Sequence, residues 1–423
     1  MFTDIKKLLA ILPVLTFSAC SPDNRESMQE VASRTNINYE LNENDREIVK
    51  ATNDFGLMLL KQIAKDKGKQ DMVFSPMGVV YCMNILANGA TSGTLKEINQ
   101  ALGHDRNKIA HINQLNRLFL IGQYKGKDED KETTRPPMQT CNLLAINGKL
   151  TLKSDYEDIL SYFYFTQIEK AKDAGDLQRR ADKWCSDMTN RQVNHIPIQL
   201  TDNSKACFIN LIDFNAQWTT PFKAKNTQKR LFFFTGKQAK PIEMMSMVDE
   251  EKEMKGMAAQ DFSVLRIPYK DKFTMTILLP HEGISLTNII SKLNLQLLDN
   301  INNKLKCHDT TYVEIPKFTT KNQINLKSCL AATGIKKAFS NQAEFSNICT
   351  TPLRMDRMVQ QTEIKVHEGG TEAKAVTTVE FTVLSAFAPR HPSVFHFKAC
   401  RPFLYYITDA FGNLCFIGTY YSK

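Results

Sequence analysis

The residues with the clearest chemical purpose lie near the C-terminus. Glu368-Gly369-Gly370-Thr371-Glu372-Ala373-Lys374-Ala375 runs on to Leu384-Ser385 and alternates with period two. Thr371, Ala373, Ala375, Thr377, Val379, Phe381 and Val383 fall on one face of an extended chain. Glu372, Lys374, Thr378, Glu380 and Thr382 fall on the other, and only Val376 breaks the pattern. One face is therefore built for burial and the other for water. Gly369-Gly370 precedes the segment, and Ala388-Pro389-Arg390-His391-Pro392 follows it with two prolines, so a loop frames a strand. The buried-face residues nearest the glycines are small. They would let the segment slide between two existing strands without a prepared cavity.

These residues resemble the hinge and reactive-centre loop of the serpins, the loop-inserting protease inhibitors. Further blocks resemble the family in order. Val73-Phe74-Ser75-Pro76 is similar to the start of its second helix, and Asn210, Trp218 and Pro221-Phe222 to the strand leading to its tryptophan. Ile267-Pro268-Tyr269 through Ile277-Leu278-Leu279-Pro280 resembles its central hairpin. Ile315-Pro316-Lys317-Phe318, Leu330 to Gly334 and Ala343 to Ser346 resemble a later stretch. Arg401-Pro402-Phe403-Leu404 and Phe416-Ile417-Gly418 are similar to its last strands. The resemblance spans about residues 46 to 423.

The resemblance implies a suicide-type inhibitor of serine, or cysteine, endopeptidases. A protease acylates itself on the loop, which spans about residues 368–393, and the cut loop inserts as a new strand of a large sheet. Counting from Gly370 at the family's usual hinge-to-bond length, the resemblance implies a reactive bond at Leu384-Ser385, a bait for chymotrypsin-like or elastase-like proteases. Phe381, Phe387 or Arg390 could serve instead, and Arg390 would select trypsin-like enzymes. The hinge would be Glu368 to Ala375. Ser75 and Asn210 would gate the sheet opening together with Gln360, which stands where the family often has histidine. Trp218 would mark the entrance with Glu368 and Gly370; on its own it reads as core packing. The rival reading is a non-inhibitory serpin-fold binding protein or protease substrate. Lys374 and Val376 depart from the usual small hinge residues, but both fall on the outward face.

Eight histidines accompany no Gly-x-Ser-x-Gly elbow and no metal-ligand spacing, so the residues give no support to an enzyme, a metal or another cofactor. The ten cysteines form no Cys-x-x-Cys, and apart from Cys20 they read as buried thiols acting as small hydrophobes. The net charge of +9 is scattered, and Lys223, Lys225, Lys229 and Arg230 read as a solvated loop, so no nucleic-acid partner is expected. A monomer is expected.

Lys6-Lys7, the apolar stretch Leu8 to Ala19 and Phe17-Ser18-Ala19-Cys20 read as a bacterial lipoprotein signal with Cys20 lipidated. An ordinary cleaved signal with Cys20 incidental is the alternative. The expected division is residues 1–19 signal, 20–44 flexible tether and 45–423 one α+β domain. The expected setting is a lipid-anchored protein of the cell envelope, periplasmic or at the outer-membrane surface.

Helical spacing begins at Asp45 with Ile48, Ala51, Phe55, Leu59 and Ile63. Ser75-Pro76 opens a second helix that stops at Gly89. Thr94 with Glu97 reads as the capping box of a third. Strand-like runs lie at Thr140–Ile146, Ala206–Ile212, Phe262–Pro280, Tyr312–Pro316 and across the last thirty or so residues. No linker divides the chain after Asp45. The fold implied is a serpin-like domain with a large mixed central sheet, smaller sheets and about eight to nine helices.

Overall fold

Asn42 opens the first long helix. Its side chain accepts from the Asp45 amide at 3.0 Å while Asp45 accepts from the Asn42 amide at 2.9 Å, a reciprocal cap. The helix Glu43–Lys67 then buries Ile48, Phe55, Leu59 and Ile63 along one stripe. The computed structural model describes residues 28–34, 39–123, 136–189, 191, 193–235, 238–371 and 392–422. Ten α-helices and four sheets occur among them.

Two features depart from the local sequence pattern. Within the segment read as a tether, Met28–Arg34 is helical, and Met28 is buried in the main core. A polar stretch thus finds partners that its own periodicity does not advertise. The third helix, Ser92–Ala101, starts at Thr91 rather than Thr94, and Thr91 supplies no side-chain cap. A distant carboxylate does that work: Glu344 accepts from the Gly93 and Thr94 amides at 2.8 and 3.3 Å. Glu97 faces away and accepts from the Lys336 and Lys337 amides at 2.7 Å each. Both carboxylates satisfy orphan amides at the start of a helical turn, but across the fold rather than along the chain.

The largest sheet is six-stranded and antiparallel. Its order is Met72–Phe74, Leu414–Tyr420, Phe403–Thr408, Thr274–Pro280, Phe262–Pro268 and Lys255–Ala258. Its strands Leu414–Tyr420, Phe403–Thr408 and Thr274–Pro280 are buried on both faces almost throughout, as expected of a sheet wedged between layers. A four-stranded sheet orders Val394–Lys398, Thr310–Pro316, Gln238–Asp249 and Gln228–Thr235.

In place of the single large mixed sheet expected, two separate sheets form the halves that flank a seam. One half orders Thr166–Ala171, Met138–Asn147 and Ala206–Phe214, the first pair being parallel. The other orders Phe318–Asn325, Val359–His367, the two-residue strand Gly370–Thr371 and Ala216–Gln217. No strand pairing joins Ala206–Phe214 to Val359–His367 among the described residues. A small cavity of about 70 Å³ lies between them, with Leu211, Asp213, Phe214, Gln361 and Glu363 among its walls. The helix Pro76–Gly89 lies behind this seam.

The nine cysteines within the described residues are free thiols. Burial pushes the Cys82 thiol up to about 12, consistent with a small hydrophobe rather than a nucleophile, but Cys307 is exposed and Cys141 and Cys400 are half-buried, against the expectation of buried thiols. Among the described residues no helix is long and apolar enough to cross a membrane, and no acidic, histidine and cysteine cluster could hold a metal.

Candidate functional site at the hinge and the sheet opening

The described site residues fall at two places along the seam, its mouth and its middle. At the mouth, every residue from His367 to Thr371 is gripped. The indole Nε1 of Trp218 donates to the His367 carbonyl at 3.0 Å, and the Trp218 amide donates to the Gly369 carbonyl at 3.1 Å. The Phe222 amide donates to the Glu368 carbonyl at 2.9 Å. Gly370 and Thr371 pair with His367 and Val366 on one side and with Gln217 and Ala216 on the other. The start of the hinge is therefore already a strand.

Trp218 is fully buried and stacks on Tyr269 with ring centroids 4.2 Å apart and 14° between planes. It packs as a core residue and also fastens the hinge. Glu368 accepts from the Thr227 hydroxyl at 2.8 Å and pairs with Lys317 at 3.2 Å. Partial burial raises the Glu368 pKa, but its backbone bond, Thr227 and Lys317 outweigh that and hold it below the ordinary glutamate value. Gly370 has φ of +150°, and a Cβ there would run into the Ala216 carbonyl oxygen and come within 2.8 Å of Gln217 Cα. Only glycine fits this close approach.

In the middle of the seam stand the other three expected residues. Ser75 caps the helix Pro76–Gly89 by accepting from the Gly78 amide at 3.1 Å, and its hydroxyl donates to the Cys415 carbonyl at 2.7 Å. Gln360, from the strand Val359–His367, accepts from the Ser75 amide at 2.8 Å and donates to the Ser75 carbonyl at 3.1 Å. Asn210, from the other half-sheet, donates to Asn142 Oδ1 at 2.8 Å, and Asn142 donates to the Tyr164 carbonyl at 2.8 Å. Ser75 thus bonds Gln360, and Asn210 bonds its own sheet. They meet over Gly78, where a Cβ would stand 2.7 Å from Asn210 Oδ1 and 3.2 Å from Gln360 Nε2.

The far end of the loop is also anchored. Ser393 donates through its amide and hydroxyl to Asp309 Oδ2 at 2.8 and 3.0 Å. Lys252 holds the other oxygen of Asp309 at 2.7 Å, and Lys252 with Ser393 keeps the carboxyl well below its usual range. Glu372, Ala373, Lys374, Ala375, Leu384, Ser385, Phe381, Phe387, Arg390 and Cys20 lie outside the described residues. Tyr269, Asp309 and Asn142 were not singled out from sequence. Tyr269 lay in plain view in the Pro268-Tyr269 run, but its contact with residue 371 is more than a hundred residues distant.

Comparison with known proteins agrees with this architecture. Residues 50–423 match the family described as Serpin (serine protease inhibitor). The chain is 27% identical over 373 residues to Iripin-2 of Ixodes ricinus, covering 86% of this chain and 90% of that one. It is 25% identical over 423 residues to a serpin-like protein of Methanosarcina mazei, covering 97% and 96%. Its fold is similar to native Tengpin, a thermophilic serpin, with TM-score 0.76 and 23% identity over 93% of this chain and 99% of that one. It is also similar to human thyroxine-binding globulin in complex with thyroxine, with TM-score 0.77 and 20% identity over 89% and 98%.

Proposed function

The chain belongs to the serpin family, and from that premise we propose that it is an inhibitory member, a suicide substrate for serine endopeptidases. The observation that carries this reading is the register at the mouth of the seam. Thr371 lies opposite Val366 on one side and Ala216 on the other. If both ladders continue without a bulge once the loop is cut and inserted, Ala373 would fall between Ile364 and Phe214, Ala375 between Thr362 and Ile212, and Thr377 between Gln360 and Asn210. Ile364, Thr362 and Phe214 are buried, so the loop face that enters the core is the small-residue face. Each main-chain bond gained contributes about 1 kcal/mol net, so a dozen added residues release on the order of 10 kcal/mol. Insertion drives the acyl-linked protease along with the loop and distorts its active site before water releases it.

The uncut fold is then a metastable state held by a kinetic barrier. The bait bond is Leu384-Ser385, suited to chymotrypsin-like or elastase-like enzymes, with Arg390 the bait if the target is trypsin-like. The protein acts as a monomer, uses no cofactor and is itself no catalyst. Cys20 carries a lipid that tethers it to the bacterial cell envelope.

The test is to incubate the full chain with chymotrypsin and examine the products by denaturing gel and mass spectrometry. A covalent complex, with release of a peptide beginning at Ser385, is expected. Clean cleavage with undiminished protease would make the protein a substrate or a binding protein. A complex with trypsin alone would move the bait to Arg390. Intact mass of the membrane fraction tests the anchor: loss of residues 1–19 with added acyl mass on Cys20 is expected, and an unmodified Cys20 would refute it.

A further inference from the structure

One contact at the seam mouth is not required by strand pairing. The Thr371 hydroxyl lies 2.8 Å from the hydroxyl of Tyr269, and both residues are buried, at 1% and 2% exposure. The Tyr269 ring cannot swing away. Trp218 is stacked on one of its faces, and Phe214 meets it edge-on at 5.3 Å and 83°. Its main chain is pinned by the Phe273 carbonyl at 2.9 Å and by a bridge to Trp218. Burial, modestly offset by the bond to Thr371, pushes the phenol well above its ordinary pKa, so it stays protonated and able to donate. A fixed hydroxyl therefore faces the first inward-pointing hinge residue.

We propose that Tyr269 is a positioning residue for loop insertion, its hydroxyl latching Thr371 in the seam before the loop is cut. Insertion is a zipping process whose first step is costly, because two residues must be ordered on two strands before the next pair gains from it. With Thr371 held, that step is complete when the protease attacks, and the race against deacylation starts from a formed nucleus. The proposal rests on the inhibitory reading for its consequence but not for the latch itself.

The test uses the full chain with Tyr269→Phe, Thr371→Val and the double variant. Tyr269→Phe keeps the ring stack and removes the hydroxyl; Thr371→Val removes the hydroxyl from the loop side, in case the first variant folds poorly. Hydrogen exchange of a peptide spanning residues 368–371 in the uncut protein reads the latch directly. Exchange is expected to rise roughly fivefold in either single variant and no further in the double, as one shared neutral hydrogen bond would give. The excess over one in the moles of inhibitor consumed per mole of chymotrypsin blocked is expected to rise by a similar factor, with the thermal unfolding midpoint little changed. Wild-type exchange in Tyr269→Phe and Thr371→Val, or additive effects of the two, would overturn the latch. Altered exchange with unchanged consumption would overturn its role in insertion. If the wild type forms no covalent complex, the inhibitory reading falls, while exchange still decides the latch.

Discussion

Gln360 closes both main-chain polar groups of Ser75, accepting from its amide at 2.8 Å and donating to its carbonyl at 3.1 Å. This fork joins the strand that borders the seam to the first turn of the helix behind it. Ser75 is 1% exposed, so neither group has water as a substitute. Gln360→Ala orphans the buried Ser75 amide and leaves its carbonyl with the Val79 amide alone, and is expected to cost about 1–3 kcal/mol. Urea unfolding of the uncut protein would show it as a lower midpoint. A midpoint equal to wild type would mean that the fork contributes nothing net.

Gly78 is where the two half-sheets converge on that helix. A methyl group there would press on Asn210 Oδ1, Ile212 Cδ1 and Gln360 Nε2 at 2.7, 2.8 and 3.2 Å. Gly78→Ala improves helix propensity by about 1 kcal/mol but overpacks the seam by about 1–3 kcal/mol. Net destabilisation is expected, together with faster spontaneous loss of inhibitory activity on storage at 37 °C. A more stable variant with unchanged shelf life would show that the side chains yield freely.

Gly370 offers a sharper test of hinge seating. At φ of +150°, with the Ala216 carbonyl and Gln217 Cα against it, Gly370→Ala cannot keep its place. The expected outcome is a conversion from inhibitor towards substrate, with chymotrypsin regaining activity after cutting the loop. Quantitative trapping by the variant would contradict the seated hinge.

Glu368 gives a pH dependence of known sign. Its folded pKa is lowered below the free glutamate value, so its stabilisation is fully present above about pH 4.3, the unfolded value, and is lost as pH falls through the lower folded value. Its partner Lys317 is 42% exposed, which screens the pair to about 0.5–1 kcal/mol. Glu368→Gln should lower the unfolding midpoint at pH 7 and lower it by less at pH 3. An equal deficit at both pH values would assign the loss to Thr227 rather than to the charge.

Local pattern alone determined several things. Ser75-Pro76 fixed a helix start because a hydroxyl acceptor and a preset φ act within one turn. The apolar spacing from Ile48 to Ile63 fixed the buried stripe of the first long helix. Alternation from Thr371 onward marked an inward face; of that face only Thr371 lies within the described residues, and it is buried. These signals rest on neighbours a few residues apart.

Only the tertiary structure decided the rest. Glu344 caps a helix some 250 residues away, and Glu97 serves a different turn from the one its spacing suggests. Met28 is buried although its segment is polar. Gln360 reaches Ser75 across 285 residues, Trp218 reaches His367 across 149, and Tyr269 reaches Thr371 across 102. A side chain's hydrogen-bonding capacity is written in the sequence, but its partner is chosen by which strands are packed side by side. That choice belongs to the whole fold.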